Sequence, residues 1–243
     1  MKNRDYSQEF TLRVEFIKKT LVNANCKAIV FGNSGGKDSA LVAILCKVAC
    51  ENTLGVMMPC ESKRNFGEDV SHAELLAKQF NVENILVDLT ETKAEILRAN
   101  PEKISSVAMA NIAPRLRMTT LYAIAQSRGA LVAGTSNRSE KYIGYFTKHG
   151  DGASDFNPIS DLTATETLEF LRFLKAPSEI IEKAPSAGLF EGQTDEKEIG
   201  LTYKSLDDYL LKGTTNEEDT EKIEKMHRQN LHKLSLPKTF ENN

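Results

Sequence analysis

Short apolar runs alternate along this chain with longer stretches whose apolar positions recur every three to four residues. The runs at 28–31, 54–58, 85–89 and 131–133 are rich in Ile, Val, Leu and Ala, the pattern of strands buried on both faces. Between them, 39–50 sets Leu41, Ile44, Leu45 and Val48 on one stripe, and 69–80 does the same with Val70, Leu75, Leu76 and Phe80. Both spacings predict crossover helices, and a further helix is expected over 7–23, ahead of the first strand. Strand, helix, strand in repetition predicts an α/β fold: a doubly wound, mostly parallel sheet flanked by helices, with right-handed crossovers. Ligands of such sheets bind beyond the carboxyl ends of the strands.

Downstream the pattern loosens. Residues 104–127 have helical composition but contain Pro114, which costs about 3 kcal/mol inside a helix and little at its first position. A kink or a new start is expected there. Residues 135–158 are irregular and rich in Gly, Asp and Asn, 163–175 turn helical again, 184–194 are irregular around Pro185, Gly188 and Gly192, and 217–233 form a charged helix. With no repeat, low-complexity tract or clear linker, one domain over 1–243 is expected.

Composition narrows the class. With 31 Lys+Arg against 34 Asp+Glu in 243 residues the formal charge is −3, so no global field holds a polyanion, and no nucleic-acid partner is expected. Cys26, Cys46, Cys50 and Cys60 lack C-x-x-C spacing, and His72, His149, His227 and His232 lack His-x-x-x-His spacing, which argues against structural zinc. The amino terminus carries charges every few residues, and no window approaches the roughly 18 apolar residues of a membrane span. A cytoplasmic location with reduced thiols and no membrane partner is the expectation.

The chemistry concentrates in Gly32-Asn33-Ser34-Gly35-Gly36-Lys37-Asp38-Ser39, where a buried strand runs into a glycine-rich turn and then an amphipathic helix. Such a turn aims backbone N–H groups and a helix dipole at an anion. Gly35 and Gly36 permit the close approach a phosphate needs, and Ser34 and Ser39 offer hydroxyl donors. The Walker spacing is not met, because Asp38 follows the lysine. A carboxylate in a phosphate loop needs a cation between it and the anion, which makes Asp38 a candidate Mg²⁺ ligand. Thr135 and Glu140 follow another buried strand, and Glu140 could complete that Mg²⁺ site.

The string Ser34-Gly35-Gly36-Lys37-Asp38-Ser39 resembles the pyrophosphatase loop of the ATP pyrophosphatase superfamily, whose members cleave ATP between the α- and β-phosphates to adenylate a substrate. Further strings resemble one family in it, the ammonia-dependent NAD synthetases: Asn111-Ile-Ala-Pro-Arg-Leu-Arg117, Gly134-Thr-Ser-Asn-Arg-Ser-Glu140, Gly144-Tyr-Phe-Thr-Lys-His-Gly-Asp-Gly-Ala153 with Asp155, Pro185-Ser-Ala-Gly-Leu189, Gln193-Thr-Asp-Glu196, Tyr203 and His232-Lys233. The resemblance implies a Rossmann-like fold of the adenine nucleotide α-hydrolase type and a homodimer. It places ATP on residues 32–39 (Asn33 and Lys37 included), Thr135 and Ser186, and deamido-NAD on Arg115, Lys148, Asp155, His232 and Lys233. Arg115 and Arg117 lie two apart and so leave a helix on different faces; the match assigns Arg115 to the ligand. Ala164, Pro114, Leu234 and Ser186 depart from the family's usual lysine, alanine, arginine and threonine.

The chemistry so implied is attack by the nicotinate carboxylate of deamido-NAD on the α-phosphorus of ATP, followed by attack of ammonia on the adenylated carbonyl. Asp151 is the candidate general base by its location. The chain's length leaves no room for a glutaminase domain, so free ammonia is the expected nitrogen donor, and 184–194 is the expected lid. Two other readings are an RNA-modifying adenylating enzyme, which would bring paired redox cysteines and a basic appendage, and a nucleotide-binding regulator without turnover.

Overall fold

The computed structural model describes residues 4–62, 65–183 and 195–240. Four parallel strands, β1 (Ala28–Gly32), β2 (Thr53–Met57), β3 (Glu83–Leu86) and β4 (Ala130–Ala133), form one sheet in the order β3-β2-β1-β4. The order reverses beside β1, so the crevice at a topological switch point opens beyond the carboxyl ends of β1 and β4. This is the doubly wound parallel sheet that the hydrophobic pattern predicts.

Alternation within β1 divides the core into two layers. Ile29 and Phe31 face α1 (Tyr6–Asn23), α2 (Lys37–Ala49), α3 (Val70–Phe80), α8 (Ala164–Phe173) and α9 (Ser178–Glu182), whereas Val30, with Leu54, Val56 and Val132, packs against α6 (Ile112–Arg128). Both faces of the strand are therefore dry, which is why β1 reads as a continuous apolar run. A third, smaller cluster joins Ile143 of α7 (Arg138–Ile143) to Leu206 of α11 (Tyr203–Lys212) and Ile223 of α12 (Glu217–Asn230).

Several boundaries move. The third strand begins at Glu83, two residues before the expected run, because pairing with β2 starts at Leu54 opposite Glu83 and a sheet edge tolerates polar residues. Beyond Leu86 the chain keeps the same pairing, with Val87 and Leu89 donating to the Met57 and Pro59 carbonyls at 2.9 and 3.0 Å. The expected break near Pro114 lies slightly earlier, at Asn111, between α5 (Ser106–Ala110) and α6. Pro114 is then the third residue of α6, in the first turn, where its missing N–H costs nothing. The stretch 135–158 is not wholly irregular, since α7 lies inside it. Helices α4 (Thr90–Ala99), α9, α10 (Asp195–Ile199) and α11 lie outside the expected elements.

Phe31 is fully buried between the sheet and α2. Phe31→Ala is expected to cost about 3–5 kcal/mol of stability, read as a lower urea midpoint with an unchanged slope; a loss below about 1 kcal/mol would contradict this packing.

Candidate active site

The phosphate loop is shaped by what packs behind it. Gly35 has φ +66°, and a Cβ there would collide with the Asp69 carbonyl oxygen, so conformation and space both demand glycine. Asn33 is buried and donates to the Ala73 carbonyl and Asn84 Oδ1 at 3.4 and 3.3 Å, tying the loop to α3 and to the edge strand. Gly36, the N-cap of α2, supplies no side-chain cap, which leaves first-turn N–H groups of that helix open to an anion. The Ser34 and Ser39 hydroxyls lie 3.1 Å apart at the same opening.

An acidic wall adjoins the loop. Asn137, the N-cap of α7, accepts the Glu140 N–H at 3.0 Å, and its own N–H donates to Glu140 Oε2 at 3.1 Å. The Asn137 amide also donates to Asp38 Oδ1 at 3.1 Å. One asparagine thus holds carboxylates from the first turns of α2 and α7, the helices that follow β1 and β4. Burial pushes both carboxyls up, that of Glu140 well above its ordinary range because the Asp38 charge adds to the desolvation. Buried Asp195, bonded by the hydroxyls of Tyr145 and Tyr203 at 3.3 and 3.2 Å, extends the negative wall. Carboxyls raised by burial and by a neighbouring negative charge, Asp38 for Glu140 and Asp195 for Asp38, are what a bound cation would relieve. Among the described residues no cluster of three or more metal-ligating side chains exists, so such an ion would take its remaining ligands from water and a bound phosphate.

Loop and wall border one cavity of about 730 Å³, a volume suited to a nucleotide-sized ligand. Met58, Pro59, Val107, Pro114 and Leu121 give it an apolar side, and Lys37, Arg117, Lys183 and Lys233 bring cations. Lys37 is half-buried, and desolvation lowers its pKa. Lys233 donates to the Gly144 and Phe146 carbonyls at 2.7 and 3.0 Å, fastening the chain beyond α12 to the turn after α7. Asp151 opens onto this cavity and accepts the Thr147 N–H at 2.9 Å. The protein around it displaces enough water to raise its pKa.

Most of the expected site residues fall into two groups, with Gly35, turned toward Asp69 and Lys183, and Asp155 in neither. Gly32, Asn33, Ser34, Gly36, Lys37, Asp38 and Ser39 line the cavity, as do Thr135, Glu140, Asp151 and Lys233. Arg115, Lys148 and His232 instead gather on an exposed face, where Arg115 Nη2 donates to the Lys148 carbonyl at 3.4 Å and Lys148 Nζ to the His232 carbonyl at 2.7 Å. Asp155 is engaged by the backbone, accepting the Val132 N–H at 2.7 Å and the Tyr122 hydroxyl at 3.3 Å. Of the two arginines it is Arg117 that faces the cavity, donating to the Met58 carbonyl at 3.1 Å and to Asn65 Oδ1 at 3.3 Å. Ala164 also lines the cavity, its N–H donating to Ser139 Oγ at 3.1 Å. Ser186 and the expected lid at 184–194 lie outside the described residues. Asn65, Asp69 and Lys183, which border the cavity together, carried no signal in the sequence beyond their polarity.

A family profile described as NAD synthase matches residues 9–237. The NH(3)-dependent NAD(+) synthetase of Carboxydothermus hydrogenoformans is 47% identical over 229 residues, covering 92% of this chain and 93% of that one. Among solved structures, the NMN synthetase of Francisella tularensis superposes with a TM-score of 0.92 at 33% identity, over 98% of this chain and 99% of the other. The NH3-dependent NAD synthetase of Campylobacter jejuni, in complex with the nitrate ion, superposes with a TM-score of 0.80 at 28% identity, over 98% and 100% of the two chains. A phosphate loop and an acidic wall at the switch point, together with a match along nearly the whole chain, place it in the NAD synthase family.

Proposed function

We propose that the chain amidates deamido-NAD with ammonia at the expense of ATP, giving NAD, AMP and pyrophosphate, the last step of NAD formation. The observation that carries this reading is the glycine-rich loop, with Asp38 in the helical turn that ends it, bordering one cavity with Glu140. ATP lies with its pyrophosphate end on residues 32–39 and Thr135, where the open first turn of α2 and the serine hydroxyls meet the phosphate oxygens. Ser186 belongs to the same proposed contact by resemblance. Asp38 and Glu140 would hold Mg²⁺, which supplies positive charge to the departing pyrophosphate.

A nicotinate carboxylate oxygen attacks the α-phosphorus, and the bond to the β-phosphate oxygen breaks. Ammonia then attacks the activated carbonyl, and AMP departs with the electron pair of the acyl C–O bond. Amidation needs this detour because a free carboxylate would have to expel oxide. The protein contributes mainly alignment and charge neutralisation. Asp151, with its raised pKa, is the proposed acceptor of the proton shed by ammonium. Arg115, Lys148, Asp155, His232 and Lys233 are assigned to deamido-NAD; the clustering of Arg115, Lys148 and His232 on one exposed face supports a shared ligand for those three. A homodimer, a single catalytic domain over 1–243, free ammonia as donor and a cytoplasmic location complete the proposal. Four unpaired cysteines accord with a reducing compartment, and among the described residues no helix is long and apolar enough to cross a membrane.

A second reading draws on the TM-score of 0.92 with the protein named NMN synthetase: the acid mononucleotide would replace the dinucleotide, with the same carboxylate chemistry.

Purified protein with Mg²⁺-ATP, ammonium and either deamido-NAD or nicotinate mononucleotide separates the two. Equal amounts of NAD and AMP from the dinucleotide, at higher kcat/KM than with the mononucleotide, are expected; the opposite preference favours the second reading, and AMP without amide product overturns both. Asp38→Ala is expected to lower kcat by about a thousandfold, with an unchanged melting temperature excluding misfolding.

The acidic wall also predicts a pH dependence. Burial moves the Asp38 carboxyl from 3.8 up to about 6, so the folded state binds more protons than the unfolded one and loses stability as pH rises between these values. Without divalent cation, the stability of Asp38→Asn relative to the wild type is expected to grow from about pH 4 to about pH 6 and then level off. Added Mg²⁺ is expected to shrink the gap above that range; thermal melts showing a pH-independent gap would contradict the burial of the Asp38 charge.

A further inference from the structure

Away from Asp38 and Glu140, a cation of the cavity lining reaches the backbone of the glycine-rich loop. Lys183 follows α9 with only 7% of its side chain exposed. Its Nζ donates to Asp69 Oδ1 at 2.6 Å and to the Gly35 carbonyl at 3.2 Å. The Asp69 carboxylate also accepts from Asn65 Nδ2 at 2.7 Å, Asn65 Oδ1 accepts from Arg117 Nη2 at 3.3 Å, and Arg117 Nε donates to the Met58 carbonyl at 3.1 Å. A line of polar contacts thus runs from the end of β2, through α6 and the π-turn Asn65–Asp69, to the backbone of the loop.

The peptide between Gly35 and Gly36 is trans. In a planar trans peptide the C=O and N–H point in opposite directions. With the carbonyl drawn back to Lys183, the Gly36 N–H faces the other way, where it meets Ser34 Oγ at 3.3 Å beside the cavity. Glycines on both sides make rotation of this peptide sterically easy. Turned over, it would present a carbonyl oxygen to a bound phosphate and withdraw the N–H.

We infer that Lys183 is a positioning residue of the nucleotide site: by holding the Gly35 carbonyl on its own ammonium group, and being held itself by Asp69, it fixes the Gly36 amide on the opposite side of that peptide, beside Ser34, toward the phosphates. The assignment rests on the ATP reading for its ligand. It differs from that of a lysine bound directly to phosphate, because its two bonds go to a carboxylate and to the loop's backbone.

The test is calorimetric titration of the intact chain with inorganic pyrophosphate and with Mg²⁺-ATP, alongside steady-state kinetics, for Lys183→Met, Lys183→Arg and Asp69→Ala. Lys183→Met is expected to weaken both ligands about tenfold, the scale of one lost polar contact, and to raise KM for ATP while leaving KM for the acid substrate unchanged. Lys183→Arg restores most of the affinity. Asp69→Ala weakens binding in the same direction, and the double variant is no worse than the poorer single one. Unchanged or tighter pyrophosphate binding in Asp69→Ala overturns the inference, since removing a negative charge would favour an anion if Lys183 acted by charge alone. Unaltered affinity in Lys183→Met overturns it equally. Should Lys183→Met fail to fold, Lys183→Arg and Asp69→Ala still decide. Pyrophosphate binding requires no turnover, so a wild-type protein that forms no NAD overturns the proposed reaction and leaves this inference standing or falling by itself.

Discussion

The pairing of Asp38 with Glu140 across Asn137 is the constraint around which the rest is arranged. Like charges held together in a partly dry cleft are costly, and the fold bears that cost in the crevice between two strands where helix N-termini converge. Asn137 spends both its backbone N–H and its side-chain amide on the two carboxylates, so the arrangement is imposed by the capping of α7 rather than left to mobile side chains. An anion on the loop and a cation on the wall would each relieve the other. That distribution of charge accords with the proposed binding of Mg²⁺-ATP.

The sheet makes that arrangement possible. Because β1 is buried on both faces, the first residues after it emerge at a fixed height, and α2 begins within five residues of Gly32. The loop is backed by Asn33 on one side and by the Asp69 backbone beneath Gly35 on the other. Its geometry is thus set by contacts within the protein, which is how a glycine-rich segment can hold one conformation.

How much of this was legible depended on the range of the interaction. The parallel sheet, its crossover helices and the glycine-rich turn before α2 follow from local period and from glycines before a helix, with β3 the one strand shifted from its expected place by more than a residue. β3 was misplaced because its start, Glu83 and Asn84, is polar; Asn84 is used inward, by Asn33, rather than exposed as its type suggests. α7 hid in a stretch of turn-formers because six residues and a capping box leave little periodic signal. The arginines illustrate the limit well. Their two-residue spacing showed that they diverge, but only the bonds of Arg117 to the Met58 carbonyl and to Asn65 reveal that it faces the cavity. Lys183 was invisible for the same reason, since its partners lie more than one hundred positions away in the chain.

Transfer of label from the nicotinate carboxylate tests the central chemical claim most directly. With that carboxylate enriched in heavy oxygen, attack on the α-phosphorus followed by amidation must leave one labelled oxygen in the phosphate of AMP, detected by mass spectrometry. Label in AMP in proportion to NAD formed is the predicted result. Unlabelled AMP, with the heavy oxygen in pyrophosphate or in water, would contradict adenylation of the carboxylate at this site.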